Sequence, residues 1–265
     1  MDPVSQARVD DFGLPPGARN QYLQGARDQL GAIAELAERL IIADVDAAAI
    51  EELRRDAHRL HGSAGSFGFP QASTVAAELE EAAKQWLEQP GNGTGERGKV
   101  ARAFVRRLAA ALFTKQPSPP PHRAAPLPPP AAPEPEPSGV PEVIVVEDDP
   151  ALAELLTFGL EARGYRYLHF RSGREALDVL KRMDTRDSPR PPLLLLDLDQ
   201  PALDGHSIFA ELQRECPGRF RVVFTTRHRS ETEQLRGLEA GAMDYLVKPL
   251  SLHVALEKIR RWVGR

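Results

Sequence analysis

Two groups of residues, far apart in the chain, have the types and spacing to do chemistry. The first is acidic. Glu147, Asp148 and Asp149 follow the apolar run 143–146, and Asp197 and Asp199 follow the run 193–196. Thr225 and Thr226 close the run that starts at Val222, and Lys248 and Pro249 follow the run 244–247. Short apolar runs of this kind read as buried strands. If the strands lie side by side, their ends collect at least three carboxylates, a hydroxyl and a lysine. Carboxylates gathered so closely are pushed toward the neutral form unless a cation joins them. An incomplete shell of oxygens suits Mg²⁺, which keeps several waters and takes a phosphate oxygen as a further partner. A lysine and a hydroxyl across from the metal are the donors a phosphoryl group needs. The chemistry implied is attack by one carboxylate on phosphorus, with the metal neutralising charge.

The second group centres on a histidine. The stretch Ala57-His58-Arg59-Leu60-His61-Gly62 runs on through Gly65 to Phe67-Gly68-Phe69-Pro70. From His58, helical steps of three or four reach His61, Gly62, Gly65 and Gly68, one stripe of a helix. Each glycine inside a helix costs roughly 1 kcal/mol relative to alanine. Three on one stripe imply that bulk is excluded there, either for a closely packed helix or for a large visitor to His58. Arg54, Arg55, Arg59 and His61 make a basic rim suited to a phosphate or an acidic partner. A lone helical histidine is usually structural. The cleared stripe, the rim and the acid cluster in the same chain favour chemistry, with His58 rather than His61 as the reacting group. Neutral imidazole is a competent nucleophile, and its phosphoramidate is a good phosphoryl donor.

The elements that must hold these residues differ between the two halves. Residues 1–14 are polar and are expected to fray. Helical periodicity runs over 15–45, 49–67, 71–87 and 96–115, with a break at 44–48 and a loop at 89–95. In the fourth helix Val100, Phe104, Leu108 and Leu112 recur every four residues and are expected to face the core. Four amphipathic helices in about 100 residues predict an antiparallel four-helix bundle. Residues 117–141 hold 12 of the chain's 24 prolines and no aromatic residue, which predicts an extended tether rather than a core. From Glu142 the pattern alternates: strands at 143–146, 165–170, 193–196, 222–225 and 244–247, with helices at 151–163, 173–183, 207–215, 231–240 and 252–263. Five strands alternating with five helices predict an α/β, doubly wound parallel sheet, whose ligands bind beyond the carboxyl ends of the strands.

Residues 142–265 resemble a response-regulator receiver domain. The resemblance rests on Val145-Val146-Glu147-Asp148-Asp149-Pro150, on Leu196-Asp197-Leu198-Asp199-Gln200-Pro201-Ala202-Leu203-Asp204-Gly205, and on the run from Gly237 to Pro249, in family order. It implies a flavodoxin-like sheet of order 2-1-3-4-5 and Asp197 as phosphoacceptor. Mg²⁺ would be ligated by Asp148, Asp197 and the backbone carbonyl of Asp199, with Glu147 acting through water. Lys248 would pair with the phosphoryl group, and Lys248-Pro249 would be a cis peptide. Counting back from Lys248 makes Thr226 the switch hydroxyl; reading Thr-Thr-Arg as the family's Thr-Ala-Arg makes it Thr225. Tyr245 would be the aromatic that turns inward when that hydroxyl moves. An acid at Asp199 departs from the family's usual neutral residue; it is either an exposed loop acid or a modifier of phosphoryl lifetime. His228, two residues after Thr226, is either solvated or helps position water.

Residues 15–115 resemble the histidine phosphotransfer (Hpt) family through the His58 stretch, with His58 as the phosphohistidine. The family often has lysine where this chain has His61, a position that normally supports the phosphoryl group beside Gly62. The two resemblances together imply a phosphorelay protein that passes a phosphoryl group between His58 and Asp197. Its partners would be a sensor histidine kinase and cognate receiver or Hpt proteins, and the receiver would assist its own phosphorylation and dephosphorylation. The competing expectations are a receiver-based binding switch with a docking bundle, and a phosphate sink.

Composition narrows the classes further. The 265 residues carry a net charge of −4 with no basic block, which argues against nucleic acid as a direct partner. The single cysteine, Cys216, leaves no intrachain disulfide or cysteine zinc site. The start lacks a signal-peptide pattern and no run spans a bilayer, so a cytoplasmic protein without membrane insertion is expected. No glycine-rich ATP loop is evident, and no output module is expected beyond the final helix, so output would pass through protein contacts of the receiver's last two helices and last strand.

Overall fold

In a computed structural model of the protein, the residues described are 14–91, 94–114, 139–186, 188–200, 203–227 and 231–264. They fall into two compact units, one helical and one built on a sheet. The proline-rich stretch lies almost wholly outside the described residues.

The helical unit contains α1 (Ala18–Ile42), α2 (Ala47–Ala64), α3 (Pro70–Glu88) and α4 (Arg97–Phe113). Each helix packs on two others, α2 against α1 and α3, and α4 against α3 and α1, which closes a four-helix bundle. The core is aliphatic: Ile33 and Leu40 from α1, Leu53 and Leu60 from α2, Leu79 from α3 and Leu108 from α4 are fully buried. Local chemistry sets the helix starts. The Asp46 carboxylate accepts from Ala49 N at 3.0 Å, and Pro70 occupies the first turn of α3, where its missing N–H costs nothing. Gly98 lets α4 lie on the end of α1; a Cβ there would stand 2.7 Å from the Leu40 carbonyl carbon.

Two expectations are corrected here. Val100 is 39% exposed, and the inner face of α4 is Ala101, Leu108, Ala111 and Leu112. A strict step of four overshoots the helical period by about 40° each time, so such a row winds off the core face. The regular ladder of α2 ends at Ala64, before the expected Phe67. Gly68 has φ 82° and closes the helix, with Phe69 N donating to Ala64 O at 2.9 Å and Gly68 N to Gly65 O at 3.2 Å. This is a Schellman cap. Gly68 is therefore required by backbone conformation and is no part of a helical stripe. The chain then turns back so that Phe67 and Phe69 stack on Tyr22, with centroids 4.3 and 5.8 Å away.

A buried arginine joins the two loops at one end of the bundle. Arg97 is 1% exposed; it donates from Nη1 to Asp44 O at 3.3 Å and from Nη2 to Pro90 O at 2.5 Å, while its backbone N donates to Asp44 Oδ1 at 3.0 Å.

The second unit runs β1 (Val143–Val146), α5 (Pro150–Ala162), β2 (Tyr167–Phe170), α6 (Gly173–Arg182), β3 (Leu193–Asp197), α7 (Gly205–Glu215), β4 (Arg221–Thr226), α8 (Glu231–Glu239), β5 (Asp244–Val247) and α9 (Leu252–Val263). The five strands are parallel in the order β2-β1-β3-β4-β5, as expected. Every residue of β1 and β3 is buried, because helices cover both faces. The starts of α5 and α7, beside the ends of β1 and β3, are capped by side chains. Asp149 accepts from Ala151 N and Leu152 N at 2.9 and 3.2 Å, and Asp204 accepts from Ser207 N at 3.0 Å. Gly205 starts α7 against the end of β3; a Cβ there would meet Asp197 O at 2.6 Å and Leu198 Cα at 2.8 Å. The Lys248-Pro249 peptide is cis.

Candidate functional site

The carboxyl ends of β1, β3, β4 and β5 bring the acidic group together. Glu147 and Asp197 are each 1% exposed, and Lys248 is 5% exposed. Lys248 Nζ lies 3.0 Å from Asp197 Oδ2 and 2.8 Å from Glu147 Oε2, so one buried ammonium bridges two buried carboxylates. Burial pushes Glu147 well above the usual carboxylate range, and the Asp197 charge adds to that push against the opposing Lys248. Burial acts to lower Lys248, but the Asp197 and Glu147 charges outweigh it and the ammonium is held above its ordinary value. Glu147, Asp148 and Asp197 each offer an oxygen within 4.8 Å of the others. One lysine cannot neutralise three acids. Three convergent oxygens with residual repulsion fit a hard divalent cation. Asp149, by contrast, is spent on capping α5.

The other expected residues are placed as follows. Asp199 is half-buried, with its Oδ2 3.3 Å from Nη2 of Arg227, so the carboxylate is ion-paired rather than a solvated loop acid. Thr225 and Thr226 are both buried. Register sets Thr225 beside Asp197 and Thr226 beside Val247. The backbone of this segment closes the site: Leu198 N donates to Thr225 O at 3.0 Å and Lys248 N to Thr226 O at 2.7 Å. The Thr225 hydroxyl has no hydrogen-bond partner among the described residues. Tyr245 is turned inward, 6% exposed, with its ring 5.3 Å from that of Phe224 and its hydroxyl lying where a Gly237 Cβ would be. His228 lies outside the described residues.

In the bundle, His58 and His61 sit on α2 next to α3, and one acid reaches both. Glu80 Oε1 is 2.6 Å from His58 Nδ1 and Glu80 Oε2 is 3.0 Å from His61 Nδ1. A carboxylate only accepts, so each histidine holds a proton on Nδ1, and the lone pair of neutral His58 sits on Nε2. The two imidazoles remain partly accessible, with side chains 19% and 29% exposed. Ser73 of α3 donates to His61 O at 2.7 Å, which ties the two helices at this level. Gly62 is buried.

The basic rim is partly neutralised. Arg54 forks onto Glu51 at 2.7 and 2.9 Å, and Arg59 lies 3.3 Å from Asp56. Sequence reading missed Glu80 and Arg227. Glu80 pairs across helices and stands among other α3 acids, so nothing local marks it. Arg227 directly follows the threonines, and only its burial shows that it turns inward.

Known proteins match both units. The Hpt domain model matches residues 18–112, and the response regulator receiver domain model matches residues 143–260. One chain thus matches an Hpt domain model followed by a receiver domain model. Response regulator MprA of Mycolicibacterium vanbaalenii is 36% identical over 123 residues, which are 46% of this chain and 50% of the relative. The DNA-binding dual master transcriptional regulator RpaA of Synechocystis is 29% identical over 127 residues, covering 48% of this chain and 50% of the relative. This chain thus spans about half the length of these curated relatives. Among solved structures, the receiver domain of sensor histidine kinase PA1611 from Pseudomonas aeruginosa, described with a magnesium ion in its active-site cleft, is 27% identical. The match covers 48% of this chain and all of that one, with a TM-score of 0.40.

Proposed function

We propose that this protein carries a phosphoryl group on His58 of the Hpt domain and on Asp197 of the receiver. The observation that carries this reading is the Lys248 ammonium, held 3.0 Å from Asp197 inside a cluster of three acids. Such a lysine can neutralise an oxygen of a phosphoryl group joined to Asp197. In the transfer from histidine, the bond from phosphorus to His58 Nε2 breaks and the electron pair stays on Nε2. A bond forms between phosphorus and an Asp197 carboxylate oxygen. Glu80 holds the imidazole proton on Nδ1, so Nε2 alone faces the reaction, and His61 shares that carboxylate beside Gly62. Asp148, Asp197 and the Asp199 backbone carbonyl would hold Mg²⁺, with Glu147 acting through water; bound there, it supplies the charge neutralisation that Lys248 alone cannot.

The switch hydroxyl is Thr226 by its count from Lys248, with Tyr245 as its aromatic partner. The Thr225 hydroxyl, beside Asp197 and without a hydrogen-bond partner among the described residues, favours the second assignment, and single alanine variants of the two distinguish them. The domains are taken as 15–116 and 142–265, joined by the proline-rich tether. The proposed partners are a sensor histidine kinase and cognate receiver or Hpt proteins. No helix among the described residues is long and apolar enough to cross a membrane, which accords with a proposed cytoplasmic location. The competing function is a receiver switch or phosphate sink with a docking bundle. Labelled phosphotransfer with His58→Gln and Asp197→Asn variants tests the choice: each variant loses label at its own site under the relay reading, and only Asp197 matters under the other.

A further inference from the structure

The acid pocket holds a second cation besides Lys248. Arg227 is the first residue after β4, and its side chain is only 6% exposed. Its Nη2 lies 3.3 Å from Asp199 Oδ2. The backbone N of Asp199 in turn donates to Asp197 Oδ1 at 3.4 Å, so the acid that holds the arginine is anchored to the acceptor itself. The Arg227 charge also bears on Lys248, acting to lower it against the acids that raise it, so the two cations share one field. A guanidinium cannot lose its proton and presents a planar fork that matches phosphate oxygens. Its partner in the pair is a single carboxylate, which a phosphoryl dianion exceeds in charge.

We propose that Arg227 is a second phosphoryl-binding cation of the receiver: Asp199 holds the guanidinium beside Asp197, and a phosphoryl group formed on Asp197 takes it over. This rests on the reading of Asp197 as acceptor. It gives the Asp199 carboxylate a task of its own, leaving only its backbone carbonyl for the metal.

The test is calorimetric titration of the whole protein, first with Mg²⁺ alone and then with beryllium fluoride, a phosphoryl mimic, at saturating Mg²⁺. Arg227→Ala is expected to bind beryllium fluoride about tenfold more weakly, ~1.4 kcal/mol. The same variant is expected to bind Mg²⁺ severalfold more tightly, because a cation beside the acids is gone. Arg227→Lys restores charge but not the fork and should recover part of the fluoride affinity. Opposite shifts for the two ligands cannot come from a damaged fold, which weakens both. Unchanged fluoride affinity, or equal weakening toward both ligands, overturns the inference. If wild type fails to bind the mimic, or Asp197→Asn binds it equally well, the acceptor reading itself has failed.

Discussion

At the scale of single residues, the chemistry is set by which proton and which charge each side chain holds. Glu80 fixes His58 in the tautomer that leaves Nε2 open, at 2.6 Å from Nδ1. Glu80→Ala should slow phosphotransfer to His58 about a hundredfold, the lower end for a lost proton-holding group. Glu80→Gln, whose amide oxygen can still accept from Nδ1, should lose less. Rates of label transfer from a phosphorylated receiver check both, and equal rates in all three proteins would remove Glu80 from the mechanism. His58 was legible in the sequence because its neighbours are unusual: glycines, a second histidine and arginines. Its partner was not, because a contact between residues 58 and 80 across two helices leaves no local pattern. Asp197 and Lys248 were legible for the opposite reason, since a strand end announces itself by the switch from apolar to polar. Asp199 shows the limit: its type was read, but its pairing with Arg227 depends on how two loops meet.

At the scale of elements, close approach and capping position the sites. Gly98 seats α4 on α1 and Gly205 seats α7 on the end of β3, each with backbone atoms where a Cβ would be. Gly98→Ala should cost about 1–3 kcal/mol, as overpacking does, read as a lower denaturation midpoint of the bundle's helicity. Asp46 starts α2, and its carboxyl is held below the usual range, first by the Ala49 N–H and then by Arg39. A depressed carboxyl contributes stability above its unfolded value near pH 4 and loses it as pH falls through the folded value. Asp46→Asn should therefore flatten the acid side of the bundle's stability curve, and thermal melts at several acid pH values check it. The central strands β1 and β3 were legible almost residue by residue, because buried strands are uniformly apolar; β2, only partly buried, starts at Tyr167 rather than at the expected Tyr165. The helix faces were less so: Val100 fits a row of four that the true period carries out to solvent. Within the glycine stripe, Gly68 serves a left-handed cap that periodicity cannot distinguish from a cleared face.

At the scale of the whole molecule, the two proposed phosphoryl sites stand in separate units of one chain. The two imidazoles of the histidine site are partly accessible. The aspartate site is buried and acidic, and three of its carboxylates offer oxygens within 4.8 Å of one another. Removing divalent cations with a chelator should abolish phosphorylation of Asp197 by a small phosphodonor, while label already on His58 persists; a mass shift on the intact protein reads both. Domain order and class were legible because composition changes sharply at the proline-rich stretch, from helical periodicity to alternating strands. The most direct measurement is phosphotransfer between this protein and a panel of phosphorylated receivers, comparing wild type with His58→Gln. The relay account predicts acid-labile label on wild type that is absent from His58→Gln. Label transfer to and from every receiver unchanged by His58→Gln would contradict it.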